Sequence, residues 1–397
     1  MSLTHRQQIH STRYNLDHVI ERRGTDSLKW NRFKQDIIPL WVADMDFPSP
    51  EPVINALRQR VEHGVFGYGT EPAGLRSAIR DRLLRLYNWE VGLDDFLFLP
   101  GTVVGLNLAC RAVGDTGDGV LIQTPIYPPF LSVPQNAKRR AAIAPLTLTE
   151  SGYKIDFHAS EKAITPRTRL FLLCNPHNPT GRVFTRGELE RLAEICITHD
   201  LVICSDEIHQ DFVYEGHRHT PIAALGTEVA ERTITLLSPS KTYNIAGLHF
   251  SVALVTNPEL RTRVKAAGAG FVDDPVDILS YVAGLAAYSE GDDWLEQVLA
   301  YLHSNRNMVM SYVRENLPGV TAFEPEGTYL AWLDCREAGI GDNPAKFFLE
   351  EAKVALSKGD LFGEEGKGFA RLNFGCSRIM LQEALEQMKN ALVRCTG

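Results

Sequence analysis

Between residues 99 and 256, short apolar and β-branched runs alternate with helix-patterned stretches, and this alternation limits the possible folds more than any other feature. Residues 119–123 (GVLIQ), 169–174 (RLFLLC), 201–204 (LVIC), 233–237 (TITLL) and 251–255 (SVALV) read as strands. Between them, residues 186–199 put Leu189, Leu192, Ala193, Cys196 and Ile197 on one helical face. Strand–helix–strand alternation predicts an α/β unit built on a mostly parallel sheet.

After residue 290 the pattern changes. Residues 292–316 form one long amphipathic run that Leu317-Pro-Gly319 stops, followed by strand-like 329–333 (YLAWL) and 371–374 (RLNF) among helical segments. A smaller α+β unit, joined through a long helix, is expected there. The first 47 residues carry little periodicity and are expected to pack on that unit and line the site. The chain is thus divided at 1–47, 48–290 and 291–397, in keeping with the two or three domains that 397 residues suggest.

Charge and composition exclude several classes. There are 41 basic and 49 acidic residues, a formal charge of −8, whereas nucleic acids and anionic membranes demand a basic face. No run of 18 apolar residues exists to span a bilayer, and the N-terminal stretch lacks the apolar core of a secretory signal. The seven scattered cysteines include no CxxC pair and read as reduced core thiols, which places the protein in the cytoplasm. His217-Arg-His219, the closest histidine pair, has no Cys or carboxylate in ligand spacing, so it reads as a solvated loop and no metal site is expected. Neither a GxGxxG fingerprint nor a P-loop is present.

Ligands of parallel α/β sheets bind beyond the carboxyl ends of the strands. Here those ends are followed by Thr124-Pro-Ile-Tyr127, Asn175-Pro-His-Asn-Pro-Thr-Gly181, Ser205-Asp206-Glu207-Ile-His209 and Ser238-Pro-Ser240-Lys241. Taken singly, each has an ordinary reading: Asp206 as a helix cap, Asn-Pro-Thr-Gly as a turn, Lys241 as a solvated loop residue. Together they suit pyridoxal 5′-phosphate (PLP). Its aldehyde needs a lysine (Lys241), its pyridine nitrogen a buried carboxylate (Asp206), and its ring an aromatic neighbour (Tyr127). Its phosphate needs backbone N–H groups at a helix start, which Gly101-Thr-Val-Val-Gly105 offers.

These motifs resemble those of fold-type I PLP enzymes, the aspartate aminotransferase superfamily (class I/II). Gly24-Thr-Asp-Ser-Leu-Lys-Trp30, Pro39-Leu-Trp-Val-Ala-Asp-Met-Asp-Phe-Pro48, Glu326-Gly-Thr-Tyr-Leu-Ala-Trp332 and Gly368-Phe-Ala-Arg-Leu-Asn-Phe-Gly-Cys376 resemble more narrowly the MalY/PatB-type cystathionine β-lyases, or C–S lyases. The resemblance implies that Lys241 bonds the cofactor, Asp206 pairs the pyridine nitrogen, and Asn178 and His209 meet the ring hydroxyl. Aminotransferases usually place a tyrosine where His209 stands. The Val103 and Val104 amides, Ser238 and Ser240 are implied as phosphate ligands, with Tyr68 reaching over from the other subunit of a homodimer. Arg371 is implied as the clamp for the substrate α-carboxylate, with Arg378 as the rival. Ala43, Asp44, Tyr127 and Asn178 are implied to face the substrate, Tyr127 also among the catalytic groups. His249 stands where aminotransferases commonly carry a phosphate-binding arginine, which leaves part of that site unassigned.

The activity implied is α,β-elimination of sulfur-containing amino acids, giving pyruvate, ammonia and a thiol. The alternative on the same scaffold is an aminotransferase acting on amino-acid and keto-acid pairs. A regulatory, partner-binding protein that keeps the fold is the third reading, and it would be marked by loss of Lys241, Asp206 or Arg371. All three are present.

Overall fold

The computed structural model describes residues 14–272 and 276–396. Residues 1–13, over half of the stretch read as lacking a signal sequence, lie outside the described ones. At the centre is a seven-stranded sheet: β1 (Phe96–Leu99), β2 (Gly119–Thr124), β3 (Arg140–Pro145), β4 (Thr168–Cys174), β5 (Val202–Asp206), β6 (Thr233–Leu237) and β7 (Ser251–Leu254). The spatial order is β1-β7-β6-β5-β4-β2-β3, and only β7 runs antiparallel to its neighbours.

Alternation of side chains along these strands sorts the core into two layers. Val120, Ile122, Leu170, Leu172, Cys204, Ile234 and Leu236 pack with Leu106 and Ala109 of the helix Thr102–Ala112. Leu121, Phe171, Leu173 and Ile203 point the other way, against Leu189, Leu192 and Cys196 of the helix Arg186–Thr198. Burial on both faces explains why these strands read as continuous apolar runs. The second helix starts where the sequence directs it. Thr185 Oγ1 accepts the Glu188 amide and Glu188 Oε2 accepts the Thr185 amide, a reciprocal cap of its first turn.

A four-stranded antiparallel sheet lies in the C-terminal part, ordered Thr321–Ala322, Leu330–Asp334, Phe369–Asn373, Ser357–Lys358. Helices Asp292–Asn316, Pro344–Glu351 and Arg378–Thr396 accompany it. The described part of the N-terminal segment docks onto this region. Ile38–Pro39 pairs in parallel with Val354–Ala355, and the Leu40 carbonyl accepts the Asn373 amide at 2.9 Å.

Six cysteines are buried and unpaired, whereas Cys395, in the last turn of the C-terminal helix, is exposed and so is not a core thiol. The solvated-loop reading of the histidine pair holds for His217 alone. His219 is buried, with Nε2 2.8 Å from Glu207 Oε2. Among the described residues no group of three or more potential ligands could hold a metal ion, and no helix is long and apolar enough to cross a membrane.

Candidate active site

β6, β5, β4 and β2 are consecutive neighbours in the sheet, so the four polar clusters that follow them meet along one edge. Lys241, Asp206, His209, Asn178 and Tyr127 line one cavity there, with Thr102, Cys174 and Ile208. Arg371 enters from the C-terminal sheet, where it pairs with Trp332, and Val42 and Ala43 come from the N-terminal segment. The wall is therefore built from three stretches far apart in the chain.

Each side chain is held by its surroundings. Lys241 lies in a single helical turn (Pro239–Thr242) whose start is capped by Ser238, and its Nζ donates to the Ala43 carbonyl at 2.7 Å. Withdrawal from water lowers its pKa to about 8; Arg371 lowers it too, while Asp44 and Asp206 oppose the shift. Asp206 ends β5, and burial raises its pKa to about 7 against the pull of the Ile208 amide, Lys241 and the Thr102 hydroxyl. Its carboxylate pairs with no cation by direct contact among the described residues, so a bound N–H cation is what it lacks.

His209 is kept neutral, its pKa lowered to about 3 first by burial and then by Lys241 and Arg371. Its ring stands edge-on to Tyr329, 5.9 Å between centroids. Burial raises the Tyr127 phenol and, more strongly, the Cys174 thiol, with Asp206 adding to both. Arg371 is buried. Its Nη1 donates to Asn178 Oδ1 at 2.9 Å, and its Nη2 to the Trp41 carbonyl at 2.9 Å and Ser357 Oγ at 3.1 Å. Burial lowers its pKa to about 10, and no carboxylate among the described residues pairs with it. Arg371 Nε and His209 Nδ1 are buried polar atoms without a hydrogen-bond partner there. An uncompensated buried guanidinium calls for an anion.

The turn carrying Asn178 is fixed from the motif at 326–332. The Glu326 and Gly327 amides both donate to the Gly181 carbonyl at 2.9 Å, and Glu326 Oε2 accepts Arg182 Nε at 2.9 Å and the Val183 amide at 2.7 Å.

Other sequence-derived residues are placed differently. Val103 and Val104 lie in the first turn of the helix Thr102–Ala112, but the Val104 amide already donates to the Gly101 carbonyl at 3.1 Å. Ser238 spends its hydroxyl proton on the Phe250 carbonyl at 2.6 Å and accepts the Ser240 amide, whereas Ser240 Oγ has no such commitment among the described residues. Tyr68 is 97% exposed and takes no part in the cavity wall. Asp44 directs its carboxylate to Arg22 (2.9 Å), and its carbonyl to Lys29 and Asn373; the carbonyl that meets Arg371 is that of Trp41. Arg378 is elsewhere, over the Tyr301 ring and bonded to Ser304 Oγ. His249 is exposed and absent from the wall. Thr102, Cys174, Ser357 and Tyr329 escaped the sequence reading, although Thr102 follows the flagged Gly101 and Cys174 ends a recognised strand.

Comparison with known proteins agrees with this architecture. Residues 35–388 match the family model for aminotransferase class I and II. The chain is 37% identical to cystathionine beta-lyase PatB of Bacillus subtilis (strain 168), across 95% of this chain and all of PatB. The crystal structure of OvoB is 44% identical, with a TM-score of 0.91 over 96% of this chain and 99% of OvoB. Cystalysin from Treponema denticola, whose crystal structure contains pyridoxal 5′-phosphate, is 32% identical, with a TM-score of 0.93 over 96% of this chain and 99% of its own. On the family match over residues 35–388 and the overall structural agreement, the chain belongs to the aminotransferase class I and II family and has its fold-type I architecture.

Proposed function

We propose that this chain is a PLP-dependent carbon–sulfur lyase: it takes an amino acid with sulfur at Cβ and, with water, yields pyruvate, ammonia and a thiol. The observation that carries the reading is one cavity holding an amine of lowered pKa and, among the described residues, a carboxylate with no cation in contact and a guanidinium with no carboxylate in contact. The relatives named for cystathionine β-lyase activity support it.

The residues fit the cofactor. Lys241 Nζ suits the aldehyde and Asp206 the pyridine nitrogen. Asn178 and His209 suit the ring hydroxyl, Tyr127 the ring, and Ser240 with the first amides of the helix Thr102–Ala112 the phosphate. When bound, PLP supplies the electron sink that acidifies the Cα–H bond of an amino acid. Arg371 holds the α-carboxylate in its planar fork and thereby fixes the direction of the Cα–H bond. Lys241 Nζ, its pKa lowered by burial, takes the Cα proton. Asp206, pushed up by burial, ionises once a cationic N–H lies against it and so holds positive charge where electrons are drawn. His209 stays neutral and offers a hydrogen bond without adding charge.

In this reading residues 48–290 form the cofactor-binding unit, 291–397 the smaller one, and 1–47 the segment that walls the site. The chain acts as a homodimer. Val61, Val65, Phe66, Tyr68 and Phe271, each more than half exposed, are the apolar surface a second copy covers. Covering it would carry Tyr68 to the phosphate end of the neighbouring site.

The test is incubation of cofactor-loaded protein with L-cystathionine and no keto acid. Many turnovers of pyruvate support elimination. A yellow cofactor band that shifts on adding amino acids, without pyruvate, moves the assignment to an aminotransferase or to a lyase of narrower specificity.

A further inference from the structure

Two of the sequence motifs, Gly24–Trp30 and Pro39–Pro48, meet at a buried charge cluster, and its Lys29 and Asp46 have no part in the chemistry above. Lys29 is fully buried, its Nζ 2.7 Å from Asp46 Oδ2 and 2.8 Å from the Asp44 carbonyl. Arg22 bridges Asp46 Oδ1 (2.7 Å) and Asp44 Oδ2 (2.9 Å), and Trp30 Nε1 donates to Asp46 Oδ1 at 2.8 Å.

Above this cluster, the backbone at 41–45 belongs to no strand or helix, so its carbonyls need partners from elsewhere. Five in succession accept side-chain hydrogen bonds. Trp41 O takes Arg371 and Ser357, Val42 O takes Asn373, and Ala43 O takes Lys241 and Tyr329. Asp44 O takes Lys29 and Asn373, and Met45 O takes Arg22 and Asn244. The two ends of this ladder are tied together: the carbonyls facing the cavity hold Lys241 and Arg371, and those facing away are held by Lys29 and Arg22.

We propose that the Lys29–Asp46–Arg22 cluster is a positioning device for the active site, fixing the 41–45 backbone against which Lys241 and Arg371 are aligned. The proposal rests on the roles given above to Lys241 and Arg371. Buried ion pairs contribute little net stability against apolar substitutes, so alignment is a reason for this one to exist. Lys241 is surrounded by Asp44 from this segment, Asp206 and His209 from the end of β5, Arg371 from the C-terminal sheet, and Tyr127 and Tyr329. Within that set Asp44 is the charge the cluster controls, because Arg22 neutralises it.

The test uses Arg22→Gln, Asp44→Asn and the charge-balanced double variant Lys29→Met/Asp46→Asn, which removes the buried pair together and leaves Arg22 its Asp44 partner. The first readout is the pH midpoint of Lys241 modification by an amine reagent, followed by mass spectrometry without cofactor. Arg22→Gln should move the midpoint up by unmasking Asp44, and Asp44→Asn should move it down. The second readout is KM against kcat for L-cystathionine in the loaded protein, with the melting temperature measured alongside. The double variant should fold and bind PLP, yet show KM raised at least about tenfold, the scale of a misplaced binding group. Folded variants with unmoved Lys241 midpoints, or a double variant with wild-type KM, would overturn the proposal. The amine readout needs neither cofactor nor turnover. A wild-type protein that makes no pyruvate from L-cystathionine would therefore sink the reading of that thioether as substrate, while the Lys241 midpoints still decide this one.

Discussion

Arg371→Lys offers the sharpest test of how the cavity holds its substrate. The native guanidinium makes hydrogen bonds of 2.9, 2.9 and 3.1 Å to Asn178, Trp41 and Ser357 and keeps Nε spare. A lysine ammonium is a compact point with three donors and no fork. It cannot reach the Asn178 amide oxygen and the Trp41 carbonyl and still grip a carboxylate with two parallel bonds. At least one charge-assisted hydrogen bond is lost, worth about 1.5–3 kcal/mol. That converts to a rise in KM of roughly 10- to 150-fold. The cofactor should remain bound, because the groups assigned to its aldehyde, ring nitrogen and phosphate are untouched. The assay is pyruvate release against L-cystathionine concentration, with the cofactor absorption band recorded on the same sample. Arg378→Lys is the control, since that side chain lies over Tyr301 outside the cavity. A saturation curve for Arg371→Lys within twofold of wild type, with cofactor present, would refute the clamp.

Three further outcomes follow from the same geometry. Lys241 in the cofactor-free protein should react with an amine reagent with a midpoint near pH 8, its amine being more often neutral than a free lysine at any lower pH; a midpoint near the ordinary lysine value would remove burial as the cause. His219→Phe leaves Glu207 Oε2 without its 2.8 Å partner in the core and should cost about 1–3 kcal/mol, seen as a lower urea midpoint at constant m-value. Gly327→Ala sets a Cβ 2.6 Å from the Phe212 carbonyl oxygen and should likewise cost about 1–3 kcal/mol; an unchanged urea midpoint would mean that this backbone yields freely.

The central strands were legible because burial on both faces makes them continuous apolar runs, and residues 233–237 match β6 end for end. β3 was not legible: Arg140–Pro145 is an alanine-rich edge strand, mostly outside the core, with little β-propensity to mark it. The site showed the same division. Asp206, Asn178 and Lys241 could be found because each ends or closely follows a strand in sequence. Ser357 and Tyr329 could not, since their relation to the cavity exists only once the C-terminal sheet meets the N-terminal segment. His219 misled for a related reason. Its neighbours His217 and Arg218 are exposed, and only the packing of Glu207 beneath it draws the ring inside.

The dispersal of the cavity wall has a consequence for synthesis on the ribosome. The lysine and the carboxylate emerge with the central sheet, whereas the guanidinium waits on a strand near the far end of the chain, paired between Leu330–Asp334 and Ser357–Lys358. Under the roles proposed for these residues, a nascent chain can thus assemble the reactive half of its pocket while still lacking the half that would recognise an amino acid. On that proposal, capture of substrate waits for the last strand, and completion of the fold would itself be the switch that turns the pocket on.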